Sequence, residues 1–268
     1  MRKSNVLGKL RMNEPVLGGN PTPYPSAKIC ELIGKTGYDF AWIDHEHQDF
    51  SDENIWHMCL ACRATDIDAV VRIRKSGYFN PFRALESGAN GLMIPHCMNK
   101  EEAEWMVRNS KFHPLGERGM DGIEAHADHS LQPMQDYMKE ANRETYIVVQ
   151  IEDKEAVDNV DDIASVKGVD VLFVGRSDLS QSLGIPLQNE NPLLMEAVDK
   201  VAAAARKHGK HWGTTLRDEN MATMYLEKGA RFLTWGAAVF ILSRAYKSIT
   251  DQFDRLKTKV KKTDGLPE

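Results

Sequence analysis

The chain has 268 residues, enough for one large domain or two small ones, and its 42% hydrophobic and 27% charged residues are those of an ordinary globular protein. A net charge of -5 and a pI near 6.0, with no dense Lys/Arg face, exclude nucleic-acid binding as the main role. No apolar run approaches membrane-spanning length, and "MRKSNVLGKLRMNEPV" lacks the apolar region of a signal peptide.

Strand-like and helix-like segments alternate along the chain. "PVLGGN" precedes a helical "SAKICELIGKTG", and "YDFAWID" precedes "DENIWHMCLACRAT". "DAVVRIR" leads to "NPFRALESG", and "NGLMIPH" leads to "NKEEAEWMVRNS". A Gly/Pro/His-rich stretch and a helix around Gln132 to Arg143 follow, then "TYIVVQIE", "KEAVDNVDDIASV", "VDVLFVG" and "SDLSQSL". A long helix from Pro192 to His208 precedes "KHWGTT", "DENMATMYLEKG", "ARFLTWG" and a last long helix.

The strands are short and apolar on both faces, as in a parallel sheet covered by helices. About eight strand–helix units without a break in composition point to an α/β fold, a (β/α)8 TIM barrel. The expectation is one domain over residues 1–268, with an extended C-terminal helix and a frayed polar tail from about residue 257. A doubly wound open sheet is the alternative, although "VLGGNP" leads to no G-x-G-x-x-G.

In a barrel, chemistry belongs at the carboxyl ends of the strands. The polar residues expected there are Asp44, His45, Glu46 and His47 after strand two, Arg72 and Arg74 ending strand three, and His96 after strand four. Gln150 and Glu152 follow what is counted as strand six, and Arg176, Ser177 and Asp178 follow strand seven. Alternation pairs Asp44 with Glu46 on one face, His45 with His47 on the other, and Gln150 with Glu152.

Glu152 and Asp178 end neighbouring strands, and their hard oxygen donors suit Mg²⁺ or Mn²⁺. Against this, Asp178 could be a helix cap and Glu152 a solvated carboxylate, and spacing alone leaves both open. Arg72 at a strand end requires an anionic partner, either a structural acid or a bound carboxylate. The amides of the "GRSD" turn from Gly175 add a second anion-binding feature, so a small carboxylate substrate is expected.

Other signals are weaker. Cys59 and Cys62 form a Cys-x-x-Cys in a helical context, where core packing is the better reading, because Cys30 and Cys97 supply no second pair. So few cysteines suit a cytoplasmic chain with reduced thiols. "HADHS" (His126 to His129) could be a ligand pair, but in its Gly/His/Asp-rich loop a solvated stretch is the commoner reading.

Taken together, these segments resemble the HpcH/HpaI family of class II, metal-dependent pyruvate aldolases. "YDFAWIDHEHQDF" is similar to the family's D-x-x-x-I-D-x-E-H stretch, and "VVRIR" to its strand-three arginine motif. "ALESGANGLMIPHC" and "FHPLGERG" match two further motifs, and "VVQIEDKEAVDNVDDIASVKGVDVLFVGRSDLSQSLG" matches the most specific one. The resemblance implies reversible retro-aldol cleavage of a 2-keto-4-hydroxy acid to pyruvate and an aldehyde, through a metal-stabilised pyruvate enolate.

Carried over, Glu152 and Asp178 match the ligands of a divalent ion (Mg²⁺, Mn²⁺ or Co²⁺), and Gln150, Gly175 and Ser177 match substrate-binding positions. His47 matches the base, Asp44 its neighbouring carboxylate, and Arg72 the arginine on the keto or enolate oxygen. The resemblance also implies a homo-hexamer, a trimer of dimers exchanging the last helix.

Two positions depart from the pattern. Glu86 stands where the family carries an aspartate that raises the basicity of the histidine. Arg176 stands where proline is common, so it either binds a second anionic group of the substrate or pairs with a surface acid. The rival readings are a metal-dependent hydrolase using His45 and His47 as an H-x-H pair, a related carbon–carbon lyase or decarboxylase, and a non-catalytic binding barrel.

Overall fold

Eight parallel strands follow one another round a closed barrel in chain order, so β8 returns to β1 and no open doubly wound sheet forms. The structure, a computed structural model, describes residues 2–75 and 81–263; Asn80, at the head of "NPFRALESG", and residues 264–268 of the expected tail lie outside them. The strands are β1 (Val16–Asn20), β2 (Phe40–Asp44), β3 (Asp68–Arg72), β4 (Gly91–Ile94), β5 (Tyr146–Ile151), β6 (Val171–Val174), β7 (His211–Leu216) and β8 (Phe232–Ala237). Helix α1 (Asn5–Arg11) precedes the barrel, and α2 (Ala27–Lys35), α3 (Asp52–Ala64) and α4 (Phe82–Glu86) follow the first three strands in turn. Next come α5 (Lys100–Ser110) and α6 (Met134–Glu144) after β4, α7 (Lys154–Asp158) and α8 (Val160–Ser165) after β5, and α9 (Arg176–Ser182) and α10 (Pro192–Lys207) after β6. The chain then runs through α11 (Glu219–Glu227) to α12 (Ala238–Thr263).

The strands counted from sequence as sixth and seventh are β5 and β6. The segment between Ser110 and Tyr146 gives a 3-10 turn (Ala125–Ser130) and α6 but no strand. Asp128, His129 and Ser130 there have φ of 54°, 52° and 64°, a left-handed conformation that no strand accommodates. Helix α12 passes residue 257, where fraying was expected, and continues to Thr263. Lys257 pairs with Asp254 at 3.0 Å, and the Thr258 hydroxyl donates to the Asp254 carbonyl.

Strand alternation sorts the apolar side chains into two clusters. Ala41, Ile43, Val71, Val149, Leu172 and Leu233 meet the surrounding helices. Phe40, Trp42, Val70, Val148, Phe173 and Phe232 fill the barrel, joined by Val6, Leu7 and Leu10 of α1, which plug its N-terminal end. Ser4 fixes that plug by capping α1, its side chain accepting the Leu7 N–H.

The Phe40 and Phe232 rings stack at 4.5 Å, and this needs Gly18 beside them, because a Cβ there would lie 2.2 Å from the Phe40 ring. Trp42 meets Phe173 edge-on at 5.5 Å one layer higher. Each such buried side chain contributes about 1.5–3 kcal/mol. The floor leaves the next inward positions, Asp44, Arg72, Gln150 and Glu152, facing only the C-terminal mouth.

Candidate active site

The β2–β3 register sets Asp44 directly beside Arg72. Both are buried, and Arg72 donates from Nε and Nη2 to the two Asp44 oxygens at 3.0 and 2.7 Å, a bidentate pair. Its Nη1 lies 3.0 Å from Glu46 Oε2 and donates to Gln150 Oε1 at 3.5 Å, while the guanidinium sits 5.0 Å above the Trp42 ring. Burial works against this charge, but Asp44 and Glu46 outweigh it and hold the Arg72 pKa above its ordinary value.

Asp44 Oδ1 also accepts the N–H groups of Glu46 and His47, folding the chain sharply after β2. Arg74 fastens the same loop from outside, donating to the carbonyls of His45 and Gln48.

Across the mouth, Gln150 and Glu152 both point inward, and Gln150 Nε2 donates to Glu152 Oε2 at 3.0 Å. Glu152 Oε1 accepts the His96 N–H at 2.8 Å, an arrangement that places His96 at φ 47°. Burial pushes the Glu152 carboxyl up to about 7; the His96 N–H and the charges of His96 and Arg72 offset this only in part, and Asp178 adds to it.

Room for this carboxylate comes from Gly175, where a Cβ would lie 2.1 Å from Glu152 Oε2. Gly175 therefore contributes an absent side chain. Ser177 and Asp178 are exposed in the first turn of α9, next to Glu152 across the β5–β6 pair. The Asp178 side chain makes no capping hydrogen bond, so it does not serve as the helix cap that the sequence allowed.

The remaining sequence candidates divide. His47 is largely exposed, and its Nε2 lies 3.4 Å from Glu46 Oε2. Asp44 reaches its backbone N–H; no hydrogen bond or ion pair joins the Asp44 carboxylate to the imidazole among the described residues.

Glu86 does not pair with His47 either. Arg83, three residues earlier on the same helix, takes it at 3.2 Å, and burial raises its pKa against the opposing pull of Arg118 and Arg83. Arg176 turns away from the mouth to Tyr225, Met221 and Asn189, and it pairs with no surface acid among the described residues.

The mouth also gathers Glu46, His96 and Asp153. Glu46 lies 3.0 Å from Arg72, 3.4 Å from His47 and 3.8 Å from His96, and its shared parity with Asp44 is the signal that pointed to it. His96 Nδ1 bonds Asp153 at 2.8 Å. Burial opposes the imidazolium, but Asp153, Glu152 and Glu46 together raise the His96 pKa. Nothing in the sequence pattern marks Asp153.

His45 and His47 belong to no group of three metal-binding side chains among the described residues, and the same holds for Glu152 with Asp178. The Cys-x-x-Cys thiols are buried on α3, as core packing requires. No described helix is long and apolar enough to cross a membrane.

A family model described as HpcH/HpaI aldolase/citrate lyase matches residues 22–245. A 4-hydroxy-2-oxo-heptane-1,7-dioate aldolase of Escherichia coli is 30% identical over 236 residues, 88% of this chain and 90% of the relative. A crystal structure of an HpcH/HpaI aldolase from Desulfitobacterium hafniense superimposes with a TM-score of 0.85 at 30% identity, covering 97% of each chain. That of the citrate synthase SbnG gives 0.83 at 30% identity, covering 96% of this chain and 98% of that one.

Proposed function

The chain belongs to the HpcH/HpaI aldolase/citrate lyase family, and from that premise we propose a class II aldolase that cleaves a 2-keto-4-hydroxy acid reversibly to pyruvate and an aldehyde. The observation that carries this reading is the inward convergence of Arg72, Gln150 and Glu152 above an aromatic floor. A guanidinium and an amide are fixed beside a buried acid.

A divalent cation fits this site. Glu152 and Asp178 would hold it through hard oxygen donors, and Glu152 lacks enough positive charge around it to ionise fully at neutral pH. When bound, such an ion polarises the keto group of the substrate as a Lewis acid.

The chain's own residues do the rest. Asp44 and Glu46 fix the Arg72 guanidinium against Trp42, so its charge is aimed before substrate arrives at the oxygen where enolate charge develops. Gln150 holds Glu152 in its deprotonated orientation by donating to Oε2. His47, tethered through its own N–H to Asp44 with its ring exposed beside Glu46, takes the proton from the substrate's 4-hydroxyl. Loss of that proton breaks the C3–C4 bond, leaving the enolate of pyruvate and the aldehyde.

A retro-aldol screen over keto-hydroxy acids, with pyruvate read by a coupled dehydrogenase, tests the proposal. Activity should vanish on chelation and in Glu152→Ala; activity surviving both overturns it. Cation binding must also displace the Glu152 proton, so the affinity of metal-free protein for Mn²⁺ should rise from pH 6 to pH 8.

The assembly reading is a homo-hexamer in which neighbouring protomers exchange α12. Its support is the exposed stripe of Leu242, Tyr246, Ile249, Phe253 and Leu256 on α12, spaced four, three, four and three residues apart, the a/d spacing of a helix-pairing seam. Light scattering that finds a monomer at micromolar concentration counts against it. A cytoplasmic location accords with the four buried free thiols.

A further inference from the structure

Arg176 is only 7% exposed, yet no carboxylate lies within ion-pairing distance of it among the described residues. Its hydrogen bonds go to neutral atoms: Nη1 donates to Tyr225 Oη at 3.0 Å and Met221 Sδ at 3.1 Å, and Nη2 to Asn189 Oδ1 at 2.7 Å. A guanidinium has five N–H donors, and these three bonds leave Nε–H and one Nη2–H. Nε and Nη2 share one edge of the fork, an edge able to grip a carboxylate bidentately. Burying a charge with no carboxylate paired to it is costly, and an anion on that edge would offset the cost.

Arg176 lines a cleft of about 360 Å³ between α9, the start of α10 and α11, and none of Asp44, Arg72, Gln150 or Glu152 is among its lining residues. Its walls identify the anion. Met195, Met221 and Met224 line it with thioethers, which pack against apolar and especially aromatic groups. Arg217 stands with the acids Glu190 and Asp218 among the lining residues. Asp218 is already engaged, capping α11 by accepting the Met221 N–H at 2.8 Å. Two acids against two arginines disfavour a dianion such as phosphate and admit a single carboxylate.

We propose that this cleft binds a small monocarboxylate with an apolar or aromatic body, its carboxylate on the Nε–Nη2 edge of Arg176 and its body among the three methionines. The ligand is distinct from the substrate in the mouth, so the proposal stands whether or not the aldolase reading does.

Benzoate is the probe, applied to full-length protein carrying ¹³C-methyl methionine. Ring-current shifts are expected at the Met195, Met221 and Met224 methyls, saturating together. Arg176→Met should weaken that binding at least tenfold. If Arg176→Met does not fold, Met224→Glu, at a half-exposed wall, should weaken it comparably while the circular dichroism spectrum stays unchanged. Shifts that spare these three methyls, or an affinity unaltered in the variants, overturn the proposal. Displacement of benzoate by an equal concentration of inorganic phosphate overturns the assignment to a monocarboxylate.

Discussion

On the β2–β3 flank of the mouth, Arg72 meets two carboxylates, Asp44 at 2.7 Å and Glu46 at 3.0 Å. On the β5–β6 flank, Glu152 meets an amide, a backbone N–H and a more distant guanidinium, and its pKa is pushed up to about 7. The first flank is saturated within the protein, and the second is short of positive charge. A saturated pair holds geometry and resists change, whereas an unsaturated acid gains most from whatever cation reaches it. The mouth thus divides its work between a rigid oxyanion-facing arm and a receptive arm.

The sharpest way to break this division is to disturb the receptive arm without removing its charge. Gly175→Ala places a methyl group 2.1 Å from Glu152 Oε2, so the carboxylate must move. Misplacement on the scale of an ångström costs about 10²-fold in kcat/KM. Mn²⁺ affinity should fall in parallel, and Tm should fall as well, because the new methyl also lies 2.8 Å from Glu152 Cβ. Unchanged kinetics would mean that the position of Glu152 does not matter.

On the saturated arm the cost should appear in stability as well as in rate. Asp44→Asn removes the bidentate partner and leaves Arg72 with Glu46 alone. Breaking a buried pair costs about 3–5 kcal/mol, and the neutral oxygen that remains brings the expected loss to the lower end. Urea denaturation measures it; a loss under about 1 kcal/mol would show that the clamp is dispensable.

The fold and half of this comparison were legible in the sequence for one reason: strand parity is local. The two-residue period that puts Phe40 and Trp42 inside the barrel also puts Asp44 there, and the same holds for Val148, Gln150 and Glu152. Partner choice is not local. Arg176 begins a helix, and its direction is set by Asn189 and Tyr225, thirteen and forty-nine residues downstream, so its place in "GRSDL" could not separate mouth from cleft. The numbering of β5 and β6 as sixth and seventh is a miscount, since the Gly/Pro/His-rich stretch before β5 carries turn signals and no strand pattern.

Glu86 offers the finest test, because family resemblance and geometry disagree about it. The resemblance makes it the acid that raises the basicity of His47, while the structure gives it to Arg83 at 3.2 Å with Arg118 nearby. If the pairing seen here governs, Glu86→Gln costs a little stability around α4 and leaves kcat/KM within about threefold, since a general base keeps its effect when its own surroundings are untouched. The acid limb of the pH–rate profile, which reports the base, should not move. If Glu86 does act on His47, the same substitution should lower kcat/KM by about 10²-fold and shift that limb to lower pH, because an imidazole deprived of a nearby carboxylate protonates less readily. A fall in rate with the limb unmoved would instead place Glu86 among the groups that hold the 111–133 segment through Arg118, so the pH profile decides between the two roles.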